Sequence, residues 1–161
     1  MDIFEAIRTR RSIREFTGEK IPDKDLEKIL DAARYAPSPE NMQMWRYVII
    51  RDDQELKDYM AEVSMQAASE LFGSAPYELT QGRLWYLPDR DRPATFEDMR
   101  LGDLFAYPKD ADVIIIGCGS ESFHDSPLIY ELEYFGAIVV AMGILNMWYA
   151  AHALGYGAGY Q

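Results

Sequence analysis

At 161 residues, with 48% apolar and 13% aromatic side chains, the chain is long enough for one domain with a substantial core and too apolar to be disordered. Its net charge of −11 excludes general nucleic-acid binding, which needs a basic surface to displace counterions, and it disfavours adhesion to anionic lipid. A single cysteine, Cys118, excludes an internal disulfide, and with only two histidines beside it no metal site of ordinary ligand spacing is expected.

Met1 to Arg8 carries three charged residues and no apolar core, so it does not read as a signal peptide, and a cytoplasmic location is expected. Asp2 is a plausible N-cap for a short helix with the apolar stripe Ile3, Phe4 and Ile7. That helix delivers Arg10, Arg11, Ser12 and Arg14 at its C-terminal end. Residues 1–50 hold nine basic and nine acidic side chains, whereas the other 111 hold seven and eighteen. Most of such a surface repels phosphate, so a phosphate-bearing ligand needs a local cationic nest. Arginine's planar fork grips phosphate oxygens in pairs, and a serine hydroxyl adds one short donor. Of equal standing on these residues alone is a solvated basic cluster favoured by a helix C-terminal dipole.

Pro22 and Asp23 open a second helix, in which Leu26, Ile29, Leu30 and Ala33 share one face, and Pro37 and Pro39 stop it. Trp45–Ile50 reads as a strand. Residues 54–72 read as an amphipathic helix with Leu56, Tyr59, Met60, Val63 and Ala67 inward. Residues 73–110, punctuated by Gly73, Pro76, Gly82, Pro88, Pro93, Gly102 and Pro108, read as a lid with a short helix around Phe96–Leu104. Leu84, Trp85, Tyr86 and Leu87 argue that this lid is ordered. Arg83, Arg90, Arg92 and Arg100 within it read as solvated, the alternative being contact with a charged substrate.

Val113–Ile116 suggests a buried strand, and Cys118 just past it reads as a small hydrophobe. Gly117 and Gly119 imitate a dinucleotide fingerprint. Ser122 stands at the third glycine position, however, and His124, Asp125 and Pro127 follow where a helix should begin. No Walker loop or nucleophile elbow is present. The last 28 residues, from Tyr134, contain no Asp, Glu, Lys or Arg. Asn146, His152 and five glycines interrupt the run, so a buried helix over 128–154, at a subunit interface, is expected rather than a membrane span. His152 reads as a satisfied core residue, and Gly155–Gln161 as the start of another strand.

No recognisable set of acids, bases or nucleophiles emerges, which suits a protein whose reactive chemistry belongs to a bound cofactor. A second polar feature, the loop Ala36-Pro37-Ser38-Pro39-Glu40-Asn41-Met42-Gln43-Met44-Trp45, offers donors and acceptors that can read a uracil-like edge. Taken alone, it reads as an ordinary helix-to-strand connection.

Together, the Arg-x-Ser-x-Arg cluster and the Pro-Ser-x-x-Asn-x-Gln-x-Trp loop resemble the FMN-dependent nitroreductase family. So do the helix between them and Ala150–Gly157, an alanine-rich helix end with a glycine turn. The resemblance implies a single α+β domain over 1–161, a mainly antiparallel sheet flanked by helices, and a long apolar central helix at the interface of an intertwined homodimer. It implies FMN as cofactor, with Arg10, Arg11, Ser12 and Arg14 on the phosphate and the pyrimidine side. Pro37, Ser38, Asn41 and Gln43 would approach from the partner subunit, and Gly159 and Tyr160 would lie near the reactive face. It further implies NADH or NADPH as donor, a nitroaromatic, quinone or similar small molecule as acceptor, reaction at flavin N5 without a catalytic side chain, and no metal. Arg14 is the candidate for charge near N1–C2.

Pro39 and Met44 depart from the family pattern, where a second serine and a proline are usual. Against that pattern the family's C-terminal strand and arm are expected to be absent beyond Gln161. The alternatives are a flavin- or partner-binding module without turnover, and a relative specialised for flavin destruction or reductive dehalogenation.

Overall fold

The structure, a computed structural model, describes residues 1–73, 84, 87–119 and 132–160. Pro76, Gly82, Arg83, Trp85, Tyr86, Ser122, His124, Asp125, Pro127, residues 128–131 of the expected last helix, and Gln161 lie outside them. In chain order the elements are α1 (Ile3–Thr9), α2 (Asp23–Arg34), β1 (Trp45–Ile50), α3 (Gln54–Gly73), α4 (Arg92–Leu101), β2 (Ile114–Gly119) and α5 (Leu132–Ala153). They belong to two compact units. The first comprises Met1–Ile13, Glu19–Ile50 and Asp112–Tyr160; the second contains Arg14–Gly18 and Arg51–Ala111.

In the first unit, Asp2 caps α1 as expected, its Oδ1 accepting from the Glu5 N–H at 2.9 Å. The expected apolar stripe does not turn inward. Only Ala6 of α1 is buried, while Ile3, Phe4 and Ile7 are exposed. A seven-residue helix has one narrow contact face, and here its smallest residue occupies it.

Helix α2 buries Leu26, Ile29 and Ala33 as the spacing predicts. Ile29 and Ala33 share a core cluster with Met147 and Ala151 of α5, and Asn146 Nδ2 donates to the Ala32 carbonyl at 3.2 Å. Strands β1 and β2 pair antiparallel, with Trp45 opposite Gly119 and Ile50 opposite Ile114. Alternation puts Trp45, Tyr47, Ile115 and Gly117 on one sheet face. Met44 and Trp45 pack there against Val139 and Val140 of α5. Gly117 and Gly119 thus lie inside an extended strand, and no helix begins at them. Cys118, across from Arg46, is exposed rather than a buried hydrophobe, because the strand runs on to Gly119 and alternation turns that side chain away from α5.

One contact in this core sets a size limit. A Cβ at Gly143 would run into the Tyr47 hydroxyl, which is itself buried without a hydrogen-bond partner among the described residues. Gly143→Ala is expected to destabilise by about 1–3 kcal/mol through overpacking. Tyr47→Phe removes an unsatisfied group that costs about 1–3 kcal/mol, so it should stabilise the parent and rescue Gly143→Ala. Chemical denaturation of the single and double variants checks both signs.

Helix α5 is not buried all round. Of its stretch Gly136–Ala153, 28% is buried within the chain, and Ile138, Met142 and Leu145 form an exposed apolar row. That stretch is long and apolar enough to cross a membrane, a test a core helix also passes; here it packs α2 and the sheet on one side.

Past α5, Gly155 takes φ 92°, a left-handed turn open to glycine, and the chain returns toward α2. There Tyr156 Oη donates to Asp25 Oδ2 at 2.9 Å. Hydrogen bonds from Lys28 first and Tyr156 second hold the Asp25 carboxyl below the usual carboxylate range, and the same bond raises the Tyr156 phenol. A depressed carboxylate contributes stability present above its unfolded pKa of about 4 and lost as pH falls through the folded value. The raised phenol contributes below its unfolded pKa of about 10, and that contribution is lost as pH rises through the folded value. Tyr156→Phe is expected to lower the melting temperature between about pH 5 and pH 9 and to converge on the parent as pH falls through the depressed folded value of Asp25, which thermal scans across pH will show.

In the second unit, α3 turns most of the expected inward set outward and leaves Met60 half-buried. Lys57, Ala61, Ala68 and Phe72 are buried, while Leu56, Tyr59, Val63 and Ala67 are exposed. Backbone comes close to this inner face at Met65, whose carbonyl a Cβ on Gly102 would strike, and the alanines at 61 and 68 lie to either side of that approach. Lys57, 4% exposed, reaches the Ala111 carbonyl with Nζ at 2.9 Å.

Helix α4 begins four residues earlier than expected, with Pro93 in its first turn, and Gly102 ends it at φ 83°. Two 3₁₀ turns, Asp103–Phe105 and Tyr107–Asp110, follow. Phe72, Leu84 and Met99 form the unit's core with Phe96 and Phe105 against them. The arginines here have local partners. Arg92 donates to the Leu84 and Leu87 carbonyls and pairs with Asp89, Arg100 pairs with Glu97, and Arg90 lies 3.5 Å from Asp91.

Candidate functional site

Helix α1 stops at Thr9, where the backbone at Arg10 turns extended. The Arg10 side chain then lies on α5, its Cζ 4.2 Å from the centre of the Trp148 ring. Its Nη1 is buried and has no hydrogen-bond partner among the described residues. Tyr160 packs on the same indole, with ring centres 6.4 Å apart and planes tilted by 31°.

Arg11 does something else. Its Nη1 donates to the carbonyls of Arg8 and Arg10 at 2.9 and 2.8 Å, covering the open end of α1. Ser12 lies across from Ala158 in a parallel bridge, and the Ile13 N–H donates to the Ala158 carbonyl at 3.0 Å. Gly157 makes that approach possible, since a Cβ there would sit 2.9 Å from Ile13 Cγ2. The glycine-rich end therefore docks on the arginine segment, and Gly159 and Tyr160 directly follow the bridge. A cavity of about 260 Å³ beside it is lined by Thr9, Arg11, Ile13, Trp148, His152 and Tyr156, among others. The Thr9 hydroxyl donates to the Glu5 carbonyl at 2.7 Å, so at its 2.8 Å contact with His152 it accepts from Nε2–H. His152 is thus half-buried and donates through Nε2 to the Thr9 hydroxyl.

Arg14 belongs to the second unit, where its Cζ lies 5.9 Å from the Tyr107 ring centre and Phe16 packs on the same ring. Burial raises the Tyr107 phenol, and Arg14 offsets part of that rise. The three arginines thus meet three different neighbours: an indole, a helix end and a phenol.

The loop before β1 is held by its own side chains. Ser38 Oγ accepts from the Gln43 N–H at 3.1 Å, and Gln43 Nε2 donates to Asn41 Oδ1 at 3.0 Å. Glu40, Asn41 and Gln43 adopt φ values of 51°, 57° and 49°, a left-handed conformation that costs a residue with a side chain about 1–2 kcal/mol. Among the described residues no partner is shown for the Ser38 hydroxyl proton, the Asn41 Nδ2 donors or the Gln43 Oε1 acceptor, in the loop that follows Pro37. No hydrogen bond among the described residues joins Ser38, Asn41 or Gln43 to the arginine segment.

Sequence reasoning missed Trp148 and Tyr107. Trp148 reads as one more apolar position in a charge-free helix. Its only signal is that indole presents an aromatic face suited to a guanidinium, which periodicity does not register. Among the described residues no group of three or more His, Cys, Asp or Glu side chains could hold a metal.

These features define an α+β protein in which a long apolar helix backs an antiparallel sheet and carries an arginine-bearing strap joined to a glycine-rich turn. The chain belongs to the nitroreductase family, whose model matches residues 7–161. It is 28% identical over 158 residues to a Methanothermobacter thermautotrophicus protein provisionally named an NADH dehydrogenase/NAD(P)H nitroreductase, covering 98% of this chain and 59% of that protein. It is 33% identical over 82 residues to the iodotyrosine deiodinase of Thermotoga neapolitana, covering 51% of this chain and 41% of the other. A Desulfovibrio desulfuricans structure, described as a provisional nitroreductase in complex with FMN, superposes with a TM-score of 0.61 at 25% identity, covering 96% of this chain and 64% of that one. The chain thus spans well under two thirds of the archaeal relative's length.

Proposed function

We propose that the protein is an FMN-dependent oxidoreductase that moves hydride from NADH or NADPH to a small acceptor such as a nitroaromatic or a quinone, working as a homodimer. The observation that carries this reading is Arg10 Nη1, a buried cationic donor without a partner among the described residues, on the chain segment that also holds Ser12. A desolvated guanidinium nitrogen is costly unless an acceptor meets it, and an anionic phosphate is a strong one. The FMN in the Desulfovibrio desulfuricans structure supports that cofactor.

Bound FMN supplies the ring atom that takes up and releases hydride. Arg10, Arg11 and Ser12 are assigned to its phosphate, and Arg14 to the pyrimidine side, where positive charge favours the reduced anion. Ser38 and Asn41, and with them Pro37 and Gln43, would come from the partner subunit. Their mutual bonds use Ser38 Oγ and Asn41 Oδ1 as acceptors, which keeps the hydroxyl and the amide N–H groups as donors for a ligand. Gly159 and Tyr160 would border the reactive face, and solvent supplies the protons. The exposed rows on α1 and α5 support the dimer, since each apolar Å² they cover stabilises it by about 25 cal/mol.

Purified protein should show flavin absorbance and elute as a dimer, and with added FMN it should oxidise NADH or NADPH when menadione or nitrofurazone is present. Failure to retain flavin together with no NADH or NADPH oxidation overturns the proposal. Flavin binding without turnover points instead to a binding module. The similarity to iodotyrosine deiodinase favours reductive dehalogenation as a second reading, and iodide release from a halogenated tyrosine tests it.

A further inference from the structure

We infer that Trp148 is a positioning residue for anion recognition: its indole face holds the Arg10 guanidinium in place, so that the buried Nη1 is presented as a preset donor group. The inference rests on the flavin reading above. Three observations converge on it. The guanidinium sits 4.2 Å from the ring centre, close enough for cation–π attraction and for excluding water from one of its faces. Its Nη1 is buried yet bonded to nothing among the described residues, so stacking holds the side chain there with no help from a hydrogen bond at that nitrogen. Tyr160 packs on the same indole, which ties the glycine-rich end to the orientation of Arg10.

An aliphatic residue at 148 would fill much of the same volume but offer no π-face. Arg10 would then regain its freedom of rotation and its water, and both must be lost again when an anion binds. Trp148 acts only through Arg10, so its effect should vanish when the guanidinium is absent.

The test is a double-mutant cycle on FMN dissociation constants, read by flavin fluorescence, with melting temperatures of the flavin-free proteins beside it. Trp148→Leu is expected to weaken binding about tenfold, and Trp148→Phe, which keeps an aromatic face, only about two- to threefold. In an Arg10→Met background, Trp148→Leu should change affinity less than twofold. Loss of similar size in both backgrounds, or equal loss for Phe and Leu, overturns the inference, because each is what a merely structural role produces. Failure of the parent protein to bind FMN overturns the flavin reading and this inference with it. Binding by the parent with additive effects overturns this inference alone.

Discussion

Arg10→Ala is expected to weaken FMN binding roughly ten- to hundredfold while leaving the flavin-free protein about as stable as the parent. The guanidinium contributes two opposing terms to the empty protein. Its stacking on Trp148 stabilises by about 0.5–2 kcal/mol, and Nη1, unpartnered among the described residues, costs about 1–3 kcal/mol. Deletion removes both, so little net change should remain. With the phosphate in place the account shifts, because a hydrogen bond to a charged group stabilises by about 1.5–3 kcal/mol and the orphan is satisfied. Arg10→Lys should recover little, since an ammonium keeps the charge but neither the flat face nor the fork. Thermal scans with and without FMN check both halves. The parent should gain melting temperature on flavin addition and Arg10→Ala should gain much less. A large drop for the flavin-free variant with undiminished FMN affinity would assign Arg10 a structural role instead.

Gly102→Ala is expected to cost about 2–5 kcal/mol, concentrated in the unit containing Arg51–Ala111. Gly102 ends α4 at φ 83°, with its N–H bonded to the Met99 carbonyl at 3.1 Å. A Cβ there would overlap the Met65 carbonyl and crowd its Cα at 2.9 Å. Met65 lies within α3, so its backbone cannot retreat without breaking the helix ladder. The left-handed backbone adds a penalty that no side-chain rearrangement relieves. Hydrogen exchange should speed up over α3 and α4 while α2, α5 and the sheet keep their protection. Uniform loss of protection in both units would mean they unfold as one.

The sequence is most transparent where a local signal and a tertiary demand coincide. Asp2 caps α1, Leu26, Ile29 and Ala33 bury one face of α2, and Trp45–Ile50 is a strand to the residue. It misleads where packing is governed by closeness rather than hydrophobicity. On α3 Leu56, Tyr59 and Val63 face outward although Phe72 is buried, and where the Gly102 backbone meets Met65 no periodicity reports the nearness of another chain segment. Pro93 could have located the start of α4, as proline in a first turn costs no hydrogen bond. In the candidate site, the arginine segment and the polar loop were legible as motifs, but their internal geometry was not. Arg10, Arg11 and Arg14 are near-identical as letters, and only tertiary context sends one to an indole, one to a helix end and one to a phenol.

The loop preceding β1 keeps three residues with side chains in a backbone region that glycine enters freely, two of them, Glu40 and Gln43, without asparagine's partial tolerance. Selection for heat resistance alone would therefore drift toward glycine at both sites. Each such change would also unfreeze the clasp that aims Ser38 and Asn41, so gains in durability there should be bought with slacker ligand grip. Breeding a tougher version of this protein is better begun elsewhere.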